Sequence, residues 1–264
     1  ATGSAVCPGG AACPSFRFRD VPAPSNWAHE GIDYCVRHGL MSGFDATTFS
    51  PDTVSTRAQI VMILYNLSGD TTDYSKYYVP FTDVKPGTWY YNAVAWGYDK
   101  DIVSGMTPTT FAPDGVTTRA QIVQILYNFV GEPEVSGSTP FTDLTQDWYK
   151  DAVLWAYQTG VVSGTSATTF SPNVPVTREQ IAVLLAEFAD KVLEVGGAES
   201  PADLSAYPDG AQVSSWARDA MADAVALGIL NGAEIDGTVW LLPQGQATRA
   251  EVATLLEGFC ASLA

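Results

Sequence analysis

Four arginines of this 264-residue chain occupy the same position in a short motif that recurs along the sequence. Each follows a threonine, stands two residues before a glutamine or glutamate, and precedes an apolar run. The four are Arg57, Arg119, Arg178 and Arg249. A guanidinium can bind a carboxylate or a phosphate through two parallel hydrogen bonds. We therefore treat these residues as candidate anion-binding residues.

The motif around each arginine is a capping box, which predicts the start of a helix. The threonine hydroxyl accepts a hydrogen bond from the amide three residues later, and the glutamine or glutamate reaches back to the threonine amide. The residues that reach back are Gln59, Gln121, Gln180 and Glu251. The box does not explain the arginine, because a cation at the first helical position faces the positive end of the helix dipole. An arginine together with free first-turn amides would form an anion site.

Three further landmarks precede each box in a fixed order. The first is an aromatic-x-Asp element, whose aspartates are Asp20, Asp83, Asp143 and Asp209. A tryptophan follows at Trp27, Trp89, Trp148 and Trp216. A glycine stands sixteen residues after each tryptophan, at Gly43, Gly105, Gly164 and Gly232. The fourfold recurrence of these landmarks is typical of a repeat protein.

Each kind of landmark has both a structural and a functional interpretation. The aspartates would pair with the box arginines, either in place of an external anion or to fix the side chain for one. The tryptophans would anchor a helix in the core or offer a flat face to a sugar. The glycines would supply a positive φ at a helix end or let a glycan approach the backbone.

Apolar residues at helical spacing between the tryptophan and the glycine predict another helix in each repeat. A Phe-x-Pro loop links it to the box in the first three repeats, and Leu242-Pro243 takes that place in the fourth. Such a helix-loop-helix cannot bury its own apolar faces, so neighbouring repeats must pack together. We predict a mainly α-helical fold. Its segments are a Cys/Gly/Pro segment at 1–17, close repeats at 18–69, 81–131 and 140–190, and a divergent repeat at 203–264.

Composition limits the partners that the chain can bind. The formal charge is −16, from 29 acidic and 13 basic residues. This balance argues against a nucleic acid or an anionic membrane as a general partner. No apolar run approaches the roughly 20 residues of a transmembrane helix, so we expect no membrane insertion. The opening residues lack the apolar stretch of a signal peptide, and we expect a processed, mature form.

Four cysteines permit two disulfides, and we favour Cys7–Cys13 and Cys35–Cys260. The first two lie close together in a Gly/Pro segment with little else to order it. Free buried thiols are the alternative for the second pair, because cysteine is often a small core residue.

No metal, cofactor or catalytic site is predicted. The cysteines form no CxxC pair, and only two histidines could join them at a metal. The run from His29 to Asp33 resembles the HExxH pattern of zinc proteases but has an aspartate where the second histidine belongs. Neither histidine recurs in the other repeats. We therefore expect a protein that is not an enzyme.

Taken in order, the aromatic-x-Asp element, the tryptophan, the glycine, the Phe-x-Pro loop and the TRAE-like box resemble the S-layer homology (SLH) domain of bacterial surface proteins. The resemblance is close in three repeats and looser in the fourth. It implies a pseudo-threefold bundle of three repeats with grooves between them, and the fourth repeat would be an appendage or a fourth member. It also implies that the box arginine contacts the ligand.

The resemblance implies an extracellular protein in the cell wall or S-layer of a Gram-positive-type bacterium. Its partner would be an anionic secondary cell-wall polysaccharide, since members of this family often bind pyruvylated polymers of this kind. The alternative is a structural or protein-interaction module whose grooves no longer bind glycan. Self-association is left open. Three boxes end in glutamine where the family pattern has glutamate, which removes a carboxylate that could orient the arginine.

Overall fold

The structure is a computed structural model that describes residues 9–194 and 196–263. It is mainly helical, as the sequence predicts. The helices are α1 (His29–Arg37), α2 (Arg57–Ser68), α3 (Tyr91–Asp99), α4 (Arg119–Phe129), α5 (Lys150–Gln158), α6 (Arg178–Lys191), α7 (Arg218–Ala226) and α8 (Arg249–Ser262). A short antiparallel hairpin, β1 (Ala233–Ile235) and β2 (Thr238–Trp240), precedes the last box. It accounts for the longer spacing in the fourth repeat.

The four boxes form the capping arrangement that the sequence predicts. At the start of α4 the Gln121 amide donates to the Thr118 hydroxyl over 3.4 Å, and the Gln121 side-chain oxygen accepts from the Thr118 amide over 3.0 Å. Capping boxes also begin α2, α6 and α8. Each box arginine is therefore the first residue of its helix.

The chain divides into two compact units. The first contains the described parts of 1–54, 159–163 and 176–264, and the second contains 55–158 and 164–175. In the second unit α2 packs against α3 and α4 packs against α5. Its core includes Phe81, Trp96 and Phe111. In the first unit α6 packs against α7 and α8, and α8 packs against α1.

In both units the box helix of one repeat lies against the first helix of another. The box of the third repeat contacts the fourth, where the Arg178 amide donates to Gly245 O over 2.9 Å. The box of the fourth repeat contacts the first, where the Arg249 amide donates to Thr53 O over 2.8 Å. The fourth repeat therefore makes the same kind of contacts as the others. A pseudo-threefold arrangement of the first three repeats is not confirmed.

The aspartates of the aromatic-x-Asp elements hold the Phe-x-Pro loops. Asp83 accepts the amide of Phe111 over 2.9 Å with one carboxylate oxygen and the amide of Ala112 over 2.8 Å with the other. The middle loop residue, Ala112, has φ of 58°. The same two bonds join Asp20 to Phe49 and Ser50, Asp143 to Phe170 and Ser171, and Asp209 to Leu241 and Leu242. Within the described residues none of these aspartates lies within 4.0 Å of the Arg57, Arg178 or Arg249 guanidinium. The charges of Asp20 and Asp209 nevertheless act on Arg249 and Arg178, and a role of the aspartates in fixing the arginines stays a prediction.

The predicted positive φ is found at Gly232 but not at the other three glycines of the set. Gly43, Gly105 and Gly164 are required for a different reason, since there is no room for a side chain. A Cβ on Gly105 would lie 2.2 Å from Thr107 O and 2.6 Å from the Phe81 ring. The positive φ at the ends of the first helices comes four residues earlier. Those positions are Gly39, Asp101, Gly160 and Gly228.

The predicted Cys35–Cys260 disulfide is wrong. Both residues are free thiols. Cys35 is fully buried, with its sulfur 3.5 Å from Ala253 O, which fits the alternative of a small core residue. Cys7 lies outside the described residues, and the Cys7–Cys13 pairing stays a prediction.

Candidate functional site

Each box arginine extends across a contact with another repeat and stacks on an aromatic ring. The Arg57 guanidinium lies 4.5 Å from the centre of the Phe111 ring and donates to Ser104 O. Arg119 over Phe170 and Arg249 over Phe49 have the same 4.5 Å spacing. A planar guanidinium is favoured on an aromatic face. This packing explains why the slot holds arginine despite the helix dipole.

The first-turn amides of the box helices are not available to a ligand. The Arg57 amide donates to Gly115 O over 2.8 Å, and the Ala58 amide donates to Pro113 O over 3.0 Å. The other three boxes make the same pair of bonds. The third amide of the first turn donates to the hydroxyl of the capping threonine. The expectation that free amides would help to bind an anion is therefore wrong, and the guanidinium is the cationic group that remains.

A groove of about 650 Å³ opens in the second unit beside Arg57. Its lining includes Ser104, Gln121, Trp148 and Tyr98. Trp148 is 45% exposed, and its indole nitrogen donates to the Gln146 side chain over 2.7 Å. One concave surface is thus lined by a cation, an amide, a hydroxyl-bearing loop and an aromatic face. These groups suit a carbohydrate that carries a negative charge.

Arg57 is an uncompensated buried cation. The side chain is 5% exposed, and its Nε has no hydrogen-bond partner among the described residues. No carboxylate in the described ranges lies within 4.0 Å of it. Burial lowers the pKa of Arg57 to about 10, and the side chain stays protonated at neutral pH. A buried charge without an opposite charge beside it costs stability, so such a group in a groove is a candidate binding site.

Arg249 and Arg119 are held more fully by backbone carbonyls. The Arg249 Nε donates to Phe49 O over 2.8 Å, and a terminal nitrogen donates to Ser42 O over 2.6 Å. Burial lowers the pKa of Arg249 to about 10, while the charge of Asp20 acts in the opposite direction. The Arg119 Nε donates to Phe170 O over 2.9 Å. These contacts give both arginines a clear structural role.

Arg178 lies in a different environment. Leu241 replaces the phenylalanine of the other loops, and the guanidinium lies 5.4 Å from the Trp27 ring instead. One terminal nitrogen lies 3.2 Å from Glu251 Oε1, and both side chains are buried. Burial lowers the pKa of Arg178, and the charge of Glu251 opposes that shift. This cation already has an anion from within the chain.

The tryptophans do not share one role. Trp89 and Trp148 are 47% and 45% exposed, so the core-anchor interpretation is wrong for these two. Tyr149, next to Trp148, is fully buried and takes the core position. Trp27 and Trp216 are half-buried. Of the four predicted tryptophans, Trp148 is the one that lines the groove beside Arg57.

Sequence reasoning missed several residues of this groove. Met106 lines it and lies with its sulfur 2.9 Å from the Gln121 side-chain nitrogen. Gln146 and Tyr98 line it as well. Met106 and Gln146 have no counterpart in the other repeats, so recurrence along the chain could not identify them. Tyr98 recurs as Tyr157 in the third repeat. Exposed aromatic residues beside a recurring glycine would have been the available signal.

Cys13, His29 and Asp33 form a buried side-chain cluster at the start of α1. Cys13 Sγ lies 3.0 Å from both His29 Nε2 and Asp33 Oδ2. The second oxygen of Asp33 accepts the Ser15 amide over 3.0 Å. His29 Nδ1 lies 2.7 Å from Pro22 O. These bonds tie the preceding segment to α1, and the sequence analysis did not anticipate the cluster.

No helix in the described ranges has both the length and the apolar character that crossing a membrane requires. Comparison with protein families gives one match, repeated along the chain. The model of the S-layer homology domain matches residues 17–61, 80–123, 140–182 and 206–253, which together cover more than half of the sequence. The four matches coincide with the four repeats.

Several curated proteins are similar to this chain. A surface-layer 125 kDa protein of Lysinibacillus sphaericus is 32% identical over 60% of the chain, and an endoglucanase of Bacillus sp. (strain KSM-635) is 29% identical over 72%. A cellulosome-anchoring protein of Acetivibrio thermocellus is 23% identical over 55%. The matched stretch covers 13%, 19% and 34% of these relatives. The chain thus corresponds to a minor part of each of them.

Proposed function

Because this chain belongs to the S-layer homology domain family, we propose that it is a non-catalytic module that attaches protein to the bacterial cell wall. It does so by binding an anionic wall polysaccharide in the groove beside Arg57. The observation that carries the proposal is the buried Arg57 guanidinium, which has no carboxylate partner among the described residues and lines the groove.

A ketal-linked pyruvate on a hexose fits this groove chemically. Its carboxylate would pair with the guanidinium, and its sugar ring would lie on the exposed face of Trp148. The side chain of Gln121 adds polar atoms for hydroxyl groups. Because both the charge and the ring would be recognised, a pyruvylated polysaccharide is a better ligand than a neutral one.

The net charge of −16 does not prevent this binding. Repulsion between exposed charges is screened beyond about 8 Å at physiological salt. A guanidinium at contact distance acts inside that length. Local complementarity therefore decides the affinity, while the overall charge slows the approach of the polymer at low salt.

The proposed location is outside the cell, in the wall or S-layer of a Gram-positive-type bacterium. The surface-layer and cellulosome-anchoring relatives support this assignment by their names. The similar endoglucanase is matched over 19% of its length. We take that part to be its attachment module and not its catalytic part.

One observation favours a second candidate function. The Arg178 guanidinium is already neutralised by Glu251, and an arginine of this kind serves the fold and not a ligand. If the Arg57 groove behaved in the same way, the chain would be a structural or protein-interaction module. Such a module would self-associate or bind another surface protein without binding glycan.

Calorimetry with purified wall polysaccharide, before and after removal of its pyruvate, tests the proposal. Arg57→Ala removes a charge-assisted hydrogen bond and should weaken binding by about 1.5 to 3 kcal/mol. Arg57→Lys should restore part of the loss, since it keeps the charge without the planar guanidinium. Arg218→Ala is the matched control, because Arg218 is exposed and does not line the groove.

Thermal unfolding of the same variants separates loss of the ligand contact from loss of the fold. Binding by Arg218→Ala should equal that of the unchanged protein. The proposal fails if the unchanged protein does not bind the polysaccharide, or if pyruvate removal leaves the affinity the same.

A further inference from the structure

We infer that the groove beside Arg57 continues into a second cavity, which binds an uncharged sugar residue next to the charged one. This inference rests on the proposed function and deepens it, because it states how much of the polysaccharide the protein recognises. The second cavity has a volume of about 520 Å³ and lies beside the C-terminal ends of α3 and α4. Its lining includes Asp101, Gln124, Asn128 and Glu132.

The two cavities adjoin across Tyr98 and Ser104, because each of these residues lines both. Ser104 O accepts a hydrogen bond from the Arg57 guanidinium, so the second cavity begins at the loop that holds the cation. Tyr98 is 39% exposed, and its ring packs edge-on against Phe81 with 5.4 Å between the ring centres. Both volumes are typical of ligand sites. A sugar whose carboxylate pairs with Arg57 can therefore have its neighbour in the second cavity.

The second cavity offers acceptors to a ligand. The carboxylates of Asp101 and Glu132 are exposed, and an ionised carboxylate only accepts hydrogen bonds. Gln124 donates its side-chain nitrogen to a neighbouring amide over 2.6 Å, while its buried oxygen has no donor among the described residues. The cation of the lining, Lys100, lies 3.3 Å from Asp99. The ligand must bring hydroxyl donors and no negative charge, which describes an uncharged hexose and not a second pyruvylated residue.

Asp101 is an exception among the four repeats. The corresponding residues of the other repeats have a positive φ as well, and they are the glycines Gly39, Gly160 and Gly228. Asp101 has φ of 57°, a conformation that is uncommon for a residue with a side chain. Gln124 stands where the other repeats have Met62, Val183 and Thr254. The second repeat thus has a carboxylate and an amide at positions that the fold fills elsewhere without them, which favours a role in binding.

The test uses a methyl hexoside that carries a 4,6-ketal-linked pyruvate, and a disaccharide in which the same residue is linked to an uncharged hexose. A second disaccharide, with pyruvate on both residues, probes the effect of charge. Calorimetry should show that the singly charged disaccharide binds at least about fivefold more tightly than the hexoside, as expected for one added hydrogen bond. The doubly charged disaccharide should bind no more tightly than the hexoside.

Asp101→Gly removes the carboxylate without disturbing the fold, because glycine adopts a positive φ readily. This variant should lose the fivefold gain and keep the affinity for the hexoside. Asp236→Gly is the matched control, since Asp236 is exposed, has φ of 51° and lines neither cavity. It should bind all three compounds like the unchanged protein.

Equal affinity of the unchanged protein for the hexoside and the singly charged disaccharide would overturn this inference and leave the proposed function standing. A full gain retained in Asp101→Gly would overturn it too, as would tighter binding of the doubly charged disaccharide than of the singly charged one. If the unchanged protein binds none of the three compounds, the proposed function fails together with this inference.

Discussion

Replacing Asp83 with asparagine tests the role of the aspartate that holds the Phe-x-Pro loop. The Asp83 carboxylate accepts the amides of Phe111 and Ala112 over 2.9 and 2.8 Å. Ala112 has φ of 58°, a conformation that non-glycine residues adopt at a cost. The two bonds keep the loop in this conformation, and the loop supplies the ring under Arg57. Asp83→Asn removes one acceptor and places an N–H group against a backbone N–H.

The expected cost follows from that single exchange. A hydrogen bond to a charged acceptor contributes about 1.5 to 3 kcal/mol, and an amide left without a partner adds its own desolvation penalty. Because the loop is partly exposed, water replaces some of the lost acceptor. We expect Asp83→Asn to lower the free energy of unfolding by about 2 kcal/mol, from the middle of that range.

Urea unfolding at pH 7 measures the loss, with Asp114→Asn as the matched control. Asp114 lies in the same loop and is exposed, and its replacement by asparagine removes the same charge. Asp83→Asn should have a clearly lower midpoint than Asp114→Asn. Equal midpoints for the two variants would refute the view that Asp83 holds the loop.

The pH dependence of Asp83 provides an independent check. Burial favours the neutral acid and raises the pKa of Asp83, but the amides of Phe111 and Ala112 outweigh it, so the pKa is lowered overall. The ionised carboxylate therefore stabilises the fold above the ordinary aspartate pKa, and this stability is lost as the pH falls through the lowered pKa. Asp83→Asn should unfold with a weaker dependence on acid pH than the unchanged protein.

Two further predictions concern stability. Gly105→Ala would place its Cβ 2.6 Å from the Phe81 ring and should cost about 1 to 3 kcal/mol, measured by urea unfolding. Gly115→Ala, whose Cβ would meet its nearest atom at 3.2 Å, is the control and should cost less. Burial raises the pKa of Glu187, and the nearby acids Asp190 and Asp223 add to this shift. The charged form of Glu187 therefore destabilises the fold once the pH rises above the ordinary glutamate pKa. Glu187→Gln should therefore raise the melting temperature at pH 7 and not at pH 4, and an equal effect at both values would contradict this reasoning.

The sequence predicted those features that depend on neighbouring residues. The capping boxes, the mainly helical class and the number of repeats follow from patterns only a few residues long. The partner of Asp83 could not be predicted in the same way, because Phe111 and Ala112 lie 28 and 29 residues away. The recurrence of an aspartate and an arginine in each repeat suggested an ion pair between them. In the structure the Asp83 carboxylate instead accepts the backbone amides of the Phe-x-Pro loop.

The arginines and glycines show the same limit of prediction from sequence. Their recurrence indicated importance but not its cause, since the first-turn amides are taken by carbonyls of another repeat. The glycine set was expected to end helices, yet three of its members make room for an aromatic ring. The difference between Arg178 and Arg57 was not visible in the box of either residue. It arises in the next repeat, where Glu251 and Leu241 replace the usual residues.

The contact between α8 and α1 has a consequence for the order in which this protein can be assembled. The Arg249 Nε donates to Phe49 O, which lies 200 residues earlier in the sequence. The loop of the first repeat therefore cannot form this hydrogen bond until α8 has been synthesised. Contacts of such separation form late and slow down folding. During synthesis the first repeat therefore lacks the arginine that packs on its loop, and the first unit can complete its core only after α8 has been made.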